Sequence, residues 1–312
     1  MPLKPRALKK GDVIGIVTPA SPPSSTEKIY KGAEYLERLG YRVKFGKNIE
    51  KSYGYLAGTD QQRSNDINEM FADKEVKAII AVRGGYGTPR ILPLLDYSLI
   101  KKNPKILVGY SDMTALQLAV YKRTGLISFS GPMVGVEMFN GIDPFTEEHF
   151  WSLITSTKGI GTVLNPDGKE LATIAKGKAS GILLGGNLSL IVALAGSKYL
   201  PSFKNSILFI EEIEEETYRF DRMMNHLRIT NILRDTKGIV VCELTDVKAS
   251  DTSKPFLTAD QVISDYLADL KKPVVTGLVY GHIRKKLTIP IGIRATLDAT
   301  KKTLRFDESG VR

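Results

Sequence analysis

Apolar positions in the first 130 residues alternate between short continuous runs and helical spacing. A β-branched run at 13–17 stops at Thr18-Pro19. The Ser-Pro-Pro-Ser-Ser-Thr stretch behind it is a loop ready to cap a helix. Residues 27–39 carry helical spacing at Ala33, Leu36 and Leu39, and Gly40 ends the pattern. Residues 41–45 read as the next strand. A glycine-bearing loop at 54–58 leads to a polar helix at 60–71. Residues 78–82 read as a buried strand that runs into Arg83-Gly84-Gly85-Tyr86-Gly87, and a short helix carries Ile91, Leu92 and Leu95. Another strand is expected at 105–109 and another helix at 113–121, stopped at Gly125. Near-continuous apolar strands separated by helices imply a parallel sheet covered on both faces. Ligands of such sheets sit at the carboxyl ends of the strands. Two motifs fall there: Arg83 to Gly87, and Gly109-Tyr110-Ser111-Asp112.

From 141 to 178 the apolar periodicity weakens and Gly, Thr, Asp and Lys accumulate. The expected organisation is therefore a first domain at 1–145, a link at 146–178 and a second domain at 179–312. The second half opens with 181–186 and a helix starting near Asn187. A buried strand at 207–210 runs into six residues of which five are glutamate, and a helix is expected at 218–233. Residues 239–244 and 274–280 read as further buried strands. The alternation at 295–306, with a turn in its middle, reads as a β-hairpin.

A chain of 312 residues, 42% hydrophobic and 25% charged, is ordinary for a globular protein, long enough for two domains. No apolar run reaches the ~18 residues that span a bilayer, and no apolar segment follows the basic N-terminus as a secretory signal requires. The single cysteine, Cys242, excludes an internal disulfide and lies mid-strand as a small hydrophobe. These features predict a cytoplasmic protein with no membrane partner. The net charge of +10 is scattered in short pairs such as Lys101-Lys102 and Lys301-Lys302. That pattern predicts solubility and tolerance of an acidic small substrate, with no nucleic-acid partner.

Ser111 stands where a strand stops and a helix starts. A hydroxyl there projects from the sheet, as in a nucleophile elbow, although Met113 replaces the second glycine of that pattern. The competing reading is a helix N-cap, where serine is favoured anyway. Of three histidines, His149 lies in a polar stretch expected to be exposed, and His226 lies inside a helix. His282 follows Gly281 at the end of an apolar strand, where an imidazole can serve as a base or simply sit in a loop. An orienting carboxylate could be Glu211 or Glu212; strand periodicity does not choose between them. The glycines of 83–87 let backbone N–H groups approach a ligand closely, which suits an oxyanion hole. They match neither phosphate-loop pattern. The three histidines have no ligand spacing, so neither metal nor cofactor is expected.

The chain resembles the LD-carboxypeptidase family of serine peptidases. The resemblance rests on Asp12 to Pro19, Gly54-Tyr-Leu-Ala-Gly-Thr59, Arg83-Gly-Gly-Tyr-Gly-Thr88, Val108-Gly-Tyr-Ser-Asp112, Gly185-Gly-Asn-Leu-Ser189, Leu208-Phe-Ile-Glu211, Tyr218-Arg-Phe-Asp-Arg222, Gly281-His282 and Pro290-Ile-Gly292. It implies a flavodoxin-like N-terminal domain, a smaller C-terminal α/β domain, an active site between them and a homodimer. By position, Ser111 resembles the nucleophile, His282 the base and Glu211 its orienting carboxylate. The N–H groups of Gly85 and Asp112 match the oxyanion hole, and Arg83, Gly84 and Tyr86 are the expected substrate-binding positions. The implied reaction removes the terminal D-alanine from a muropeptide tetrapeptide. Some relatives instead cleave peptidyl nucleotides such as microcin C. They need an aromatic platform for the base, to which the single Trp151 lends little.

Overall fold

The computed structural model describes residues 2–312, and its strands gather into two sheets. The first part of the chain runs β1 (Val13–Val17), α1 (Glu27–Arg38), β2 (Arg42–Phe45), α2 (Asp60–Ala72), β3 (Val76–Ala81), α3 (Thr88–Ile91), α4 (Tyr97–Lys102), β4 (Ile106–Val108), α5 (Met113–Thr124) and β5 (Ser128–Ser130). Strands β2, β1, β3, β4 and β5 pair in that spatial order, all parallel. This is the flavodoxin-like doubly wound order, with its reversal between β1 and β3. Every residue of β1 and β4 is buried, which is why those strands read as unbroken apolar runs. Helix α1 turns Ile29, Ala33 and Leu36 inward. Helix α2 is started by a capping box between Thr59 and Gln62, and α5 ends at Gly125 with φ +78°.

The chain continues through α6 (Pro144–Thr155), β6 (Gly161–Val163), β7 (Ala172–Ala175), β8 (Lys178–Asn187), α7 (Leu188–Leu194), β9 (Ser206–Ile213), α8 (Thr217–Ile229), α9 (Ile232–Asp235), β10 (Gly238–Thr245), α10 (Ala259–Leu267), β11 (Val274–Leu278), β12 (Ile289–Ile291), β13 (Arg294–Asp298) and β14 (Thr303–Phe306). All of its strands except β12 form an eight-stranded sheet in the order β6-β14-β13-β8-β9-β10-β11-β7. Within it β8 to β11 run parallel. The hairpin of β13 and β14 pairs Ala295 with Phe306.

Several expectations are revised. Residues 146–178 hold most of α6 together with β6 and β7, the two edges of the second sheet. Edge strands keep much of their surface in water, so their apolar alternation is weak. The helix expected at 218–233 breaks into α8 and α9 at Asn231, which adopts φ +63°. Strand β12 leaves its own half of the chain and closes the first sheet, antiparallel to β5, with Ile289 opposite Ser130. That crossover follows directly on the segment bearing His282.

Candidate active site

The C-terminal ends of β3, β4, β9 and β11 supply the site. Gly109 and Ser111 bracket the turn from β4 to α5, with φ +154° and +64°. A positive φ at a non-glycine residue is strained and recurs at functional turns. The turn leaves Ser111 outside the helix: the cap position is Asp112, which makes no side-chain cap bond. The Ser111 carbonyl accepts from Thr114 N–H at 2.9 Å. Its hydroxyl bonds no group among the described residues, so Ser111 is not the side-chain cap that its position also suggested.

Gly84 lies against this turn. A Cβ built on it would meet the Ser111 side chain at 2.8 Å and Asp112 N at 3.3 Å, so glycine alone permits the approach. No protein group among the described residues accepts from the N–H of Gly84, Gly85 or Asp112. Two adjoining turns therefore present unpaired amide donors beside a serine hydroxyl, the arrangement an oxyanion requires.

His282 enters from the other sheet. Its Nδ1 is 2.8 Å from Oε2 of Glu211, whose side chain is wholly buried at the end of β9. A carboxylate there holds the proton on Nδ1 and leaves Nε2 as the acceptor. Gly281 makes room for this pair, since a Cβ on it would come within 3.2 Å of the same oxygen. Of Glu211 and Glu212, it is Glu211 whose carboxylate meets His282. The Glu212 carboxylate turns away and accepts from Asn187 Nδ2 at 2.9 Å and from Ser189 N–H and Oγ at 2.8 and 2.7 Å. Burial pushes its carboxyl above the usual range despite those bonds.

Tyr110 joins the two halves. Its ring meets the His282 imidazole edge-on with centroids 5.1 Å apart, which brings the neighbouring Ser111 to the same place. The Tyr110 hydroxyl donates to Glu137 Oε1 at 2.9 Å, Lys286 Nζ donates to the same oxygen at 2.6 Å, and the ammonium stands 4.0 Å above the Tyr110 ring. Burial and the Glu137 charge push the phenol well above its ordinary range. A cavity of about 440 Å³ opens beside these groups, lined by His282, Tyr110, Glu137, Arg284 and Lys286. Ser111 and His282 share no hydrogen bond here; such contacts tighten on substrate binding.

The other expected positions fall as follows. Arg83 is half-buried and donates Nη1 to Pro22 O at 3.1 Å. Tyr86 is exposed and packs against Tyr55, with centroids 5.7 Å apart. His149 is not exposed as its polar neighbours suggested. Its Nδ1 accepts from Thr288 N–H at 3.1 Å, and burial lowers its pKa to about 4. Trp151 stacks on Tyr41 and donates to Tyr35, within the first unit's helical flank. Cys242 is buried. Among the described residues no three His, Cys, Asp or Glu side chains are grouped to hold a metal. The Asp112 carboxylate, Lys286 and Glu137 were not singled out from the sequence. Only Asp112, in the Gly-Tyr-Ser-Asp string, had a signal there.

Residues 14–131 match the LD-carboxypeptidase N-terminal domain and residues 180–297 the LD-carboxypeptidase C-terminal domain. The chain is 40% identical over 310 residues to a probable murein peptide carboxypeptidase of Bacillus subtilis, spanning 99% of this chain and 95% of that protein. A solved structure of muramoyltetrapeptide carboxypeptidase from Oxalobacter formigenes superposes with a TM-score of 0.81 at 31% identity, over 94% of this chain and 97% of that one. The microcin C7 self-immunity protein MccF, solved in complex with aspartyl sulfamoyl adenosine, superposes with a TM-score of 0.90 at 28% identity over 100% of both chains.

Proposed function

The chain belongs to the LD-carboxypeptidase family, and on that premise we propose that it is a serine carboxypeptidase of murein peptides. It hydrolyses the amide bond between an L-centre and a terminal D-residue, releasing D-alanine from muropeptide tetrapeptides recycled in the cytoplasm. Residues 1–145 bring the nucleophile, Ser111, and residues 179–312 bring Glu211 and His282. The observation that carries the reading is the 2.8 Å bond between His282 and the buried Glu211, with the imidazole packed on Tyr110, the residue that precedes Ser111 in its strained turn. Family resemblance adds a homodimer as the working assembly. No helix among the described residues is long and apolar enough to cross a membrane.

In this reading His282 Nε2 takes the Ser111 proton as Oγ attacks the scissile carbonyl. The oxyanion forms against the N–H groups of Gly85 and Asp112. Collapse breaks the C–N bond, and His282 gives its proton to the departing D-alanine amine. Water then attacks the acyl-enzyme, again giving its proton to His282, and Ser111 is regenerated. Glu211 stabilises the imidazolium in both halves. The net charge of +10 suits a substrate with several carboxylates. Arg83, Gly84 and Tyr86 line its approach in this reading.

A second reading, cleavage of a peptidyl nucleotide, is favoured by one observation: the exposed Tyr55–Tyr86 pair offers aromatic faces next to Gly85. The test is incubation with lysine- and diaminopimelate-containing tetrapeptides and with a microcin-like peptidyl nucleotide. D-Alanine release by the parent protein, and none by Ser111→Ala, is the expected result. Cleavage of the nucleotide substrate alone would transfer the assignment to the second reading. No cleavage of any of them would overturn both.

A further inference from the structure

The turn at 84–88 has few internal fastenings. Gly85 and Gly87 sit at φ +101° and +138°, in a region that glycine enters without being confined to it. What holds the turn comes from elsewhere. Ser21 N–H donates to Gly84 O at 3.2 Å and Tyr86 N–H donates to Ser21 Oγ at 3.1 Å. The fully buried Arg63 donates to Gly87 O at 2.9 Å and also to Pro19 O. A further fastening is Asp112, only 1% exposed. Its carboxylate accepts from Thr88 N–H at 2.7 Å and from Gly87 N–H at 3.3 Å, and its carbonyl accepts from Thr88 Oγ1 at 2.5 Å.

An aspartate at a helix start ordinarily accepts from the helix's own second or third N–H. Asp112 makes no such bond, and its carboxylate serves the neighbouring turn instead. We propose that Asp112 is a positioning residue that couples the two oxyanion donors. Its own N–H is one of them, and its carboxylate and carbonyl together anchor the turn that carries the other, Gly85 N–H. The inference rests on the reading of Ser111 as nucleophile. Two donors on the ends of separate strands have no covalent reason to keep a fixed spacing. An oxyanion needs both at about 2.7–3.1 Å together, and a misplacement of ~1 Å can cost about 10²-fold in rate. Asp112 is the residue common to both turns.

The test compares Asp112→Asn, Thr88→Val and Thr88→Ser with the parent. Asparagine sets an NH₂ group against donors, valine removes only the hydroxyl, and serine restores it. Three quantities are read on protein shown folded by circular dichroism. They are phosphonylation of Ser111 by a fluorophosphonate probe, kcat for D-alanine release, and tetrapeptide affinity measured with each change on a Ser111→Ala background. Asp112→Asn should slow phosphonylation and kcat on the order of 10²-fold, comparable to loss of an oxyanion donor. Thr88→Val should slow both about tenfold, as loss of one bond of ~1.4 kcal/mol would. Thr88→Ser should stay within about threefold of the parent, and affinity should change less than about threefold throughout. Folded Thr88→Val protein reacting at the parental rate overturns the inference, even if Asp112→Asn does not fold. So does a loss of affinity equal to the loss of rate. A parent that is neither labelled nor active overturns the serine reading and this inference with it, an outcome distinct from failure of the variants alone.

Discussion

Ser111→Gly removes a hydroxyl from a residue held at φ +64°. A left-handed backbone costs an L-residue about 1 kcal/mol that glycine does not bear. Against this, glycine's freer unfolded chain costs about 0.4–1 kcal/mol. The hydroxyl bonds no protein group, so its loss leaves no partner unsatisfied. The balance lies within about 1 kcal/mol of zero, a shift in Tm of no more than about 2–4 °C for a chain of this size. Ser111→Ala keeps the strain, loses the same hydroxyl, and should be equally folded. Turnover should behave in the opposite way, falling on the order of 10⁴-fold or more in both variants, as deletion of a triad member does. The assay is D-alanine release per folded molecule, alongside urea unfolding of the same preparations. A Ser111→Gly protein with near-parental turnover would eliminate the nucleophile. A loss of more than about 3 kcal/mol in stability would show that the hydroxyl is structural and refute the strain argument.

Glu211→Gln should cut kcat on the order of 10³–10⁴-fold, because an amide can hold the imidazole in the wrong tautomer; a steady-state assay showing less than tenfold would exclude Glu211 as the orienting group. Lys286→Met should destabilise the fold by about 3–5 kcal/mol in urea unfolding, since it strands the Glu137 carboxylate beside Tyr110; an unchanged midpoint would contradict a buried ion pair. His149 is held neutral by burial, with its pKa lowered to about 4, against about 6.5 when unfolded. The unfolded chain therefore binds more protons between those values, so its contribution is present above pH ~6.5 and is lost as pH falls toward 4. His149→Gln should flatten that part of the stability profile, and an unaltered profile would count against it.

Much of the first sheet was legible because buried parallel strands must be apolar throughout, as β1 and β4 are. The polar helix α2 was readable behind the glycine-bearing loop at 54–58, and the structure adds the capping box of Thr59 and Gln62 that starts it. Strands β5 and β12 were not. Three residues each, they carry no period; β5 is held between β4 and β12, and β12 by a pairing across more than 150 residues of chain. The break at Asn231 was hidden because apolar spacing continues through it to Leu233. At the site, the Ser, Glu and His positions stood out as chemistry-bearing residues at strand ends. Which of Glu211 and Glu212 meets His282 was not legible, because both are buried and only the direction of the side chain separates them. His149 misled for a related reason. Polar neighbours in sequence say little about a residue whose ring is covered by a distant segment, here Thr288.

The excursion of β12 into the first sheet bears on how far the protein can be treated as two exchangeable modules. Ending the chain before β12 would uncover the edge of β5, and a bare edge of unpaired amides and carbonyls invites other chains to pair with it. A gene fusion that swapped the second half for an unrelated domain would inherit that aggregation hazard unless it brought a substitute strand. The histidine arm is likewise anchored at both ends, by β11 in one sheet and β12 in the other. Recombination between relatives should therefore succeed only when the crossover keeps residues 282–291 with a β5 that accepts them.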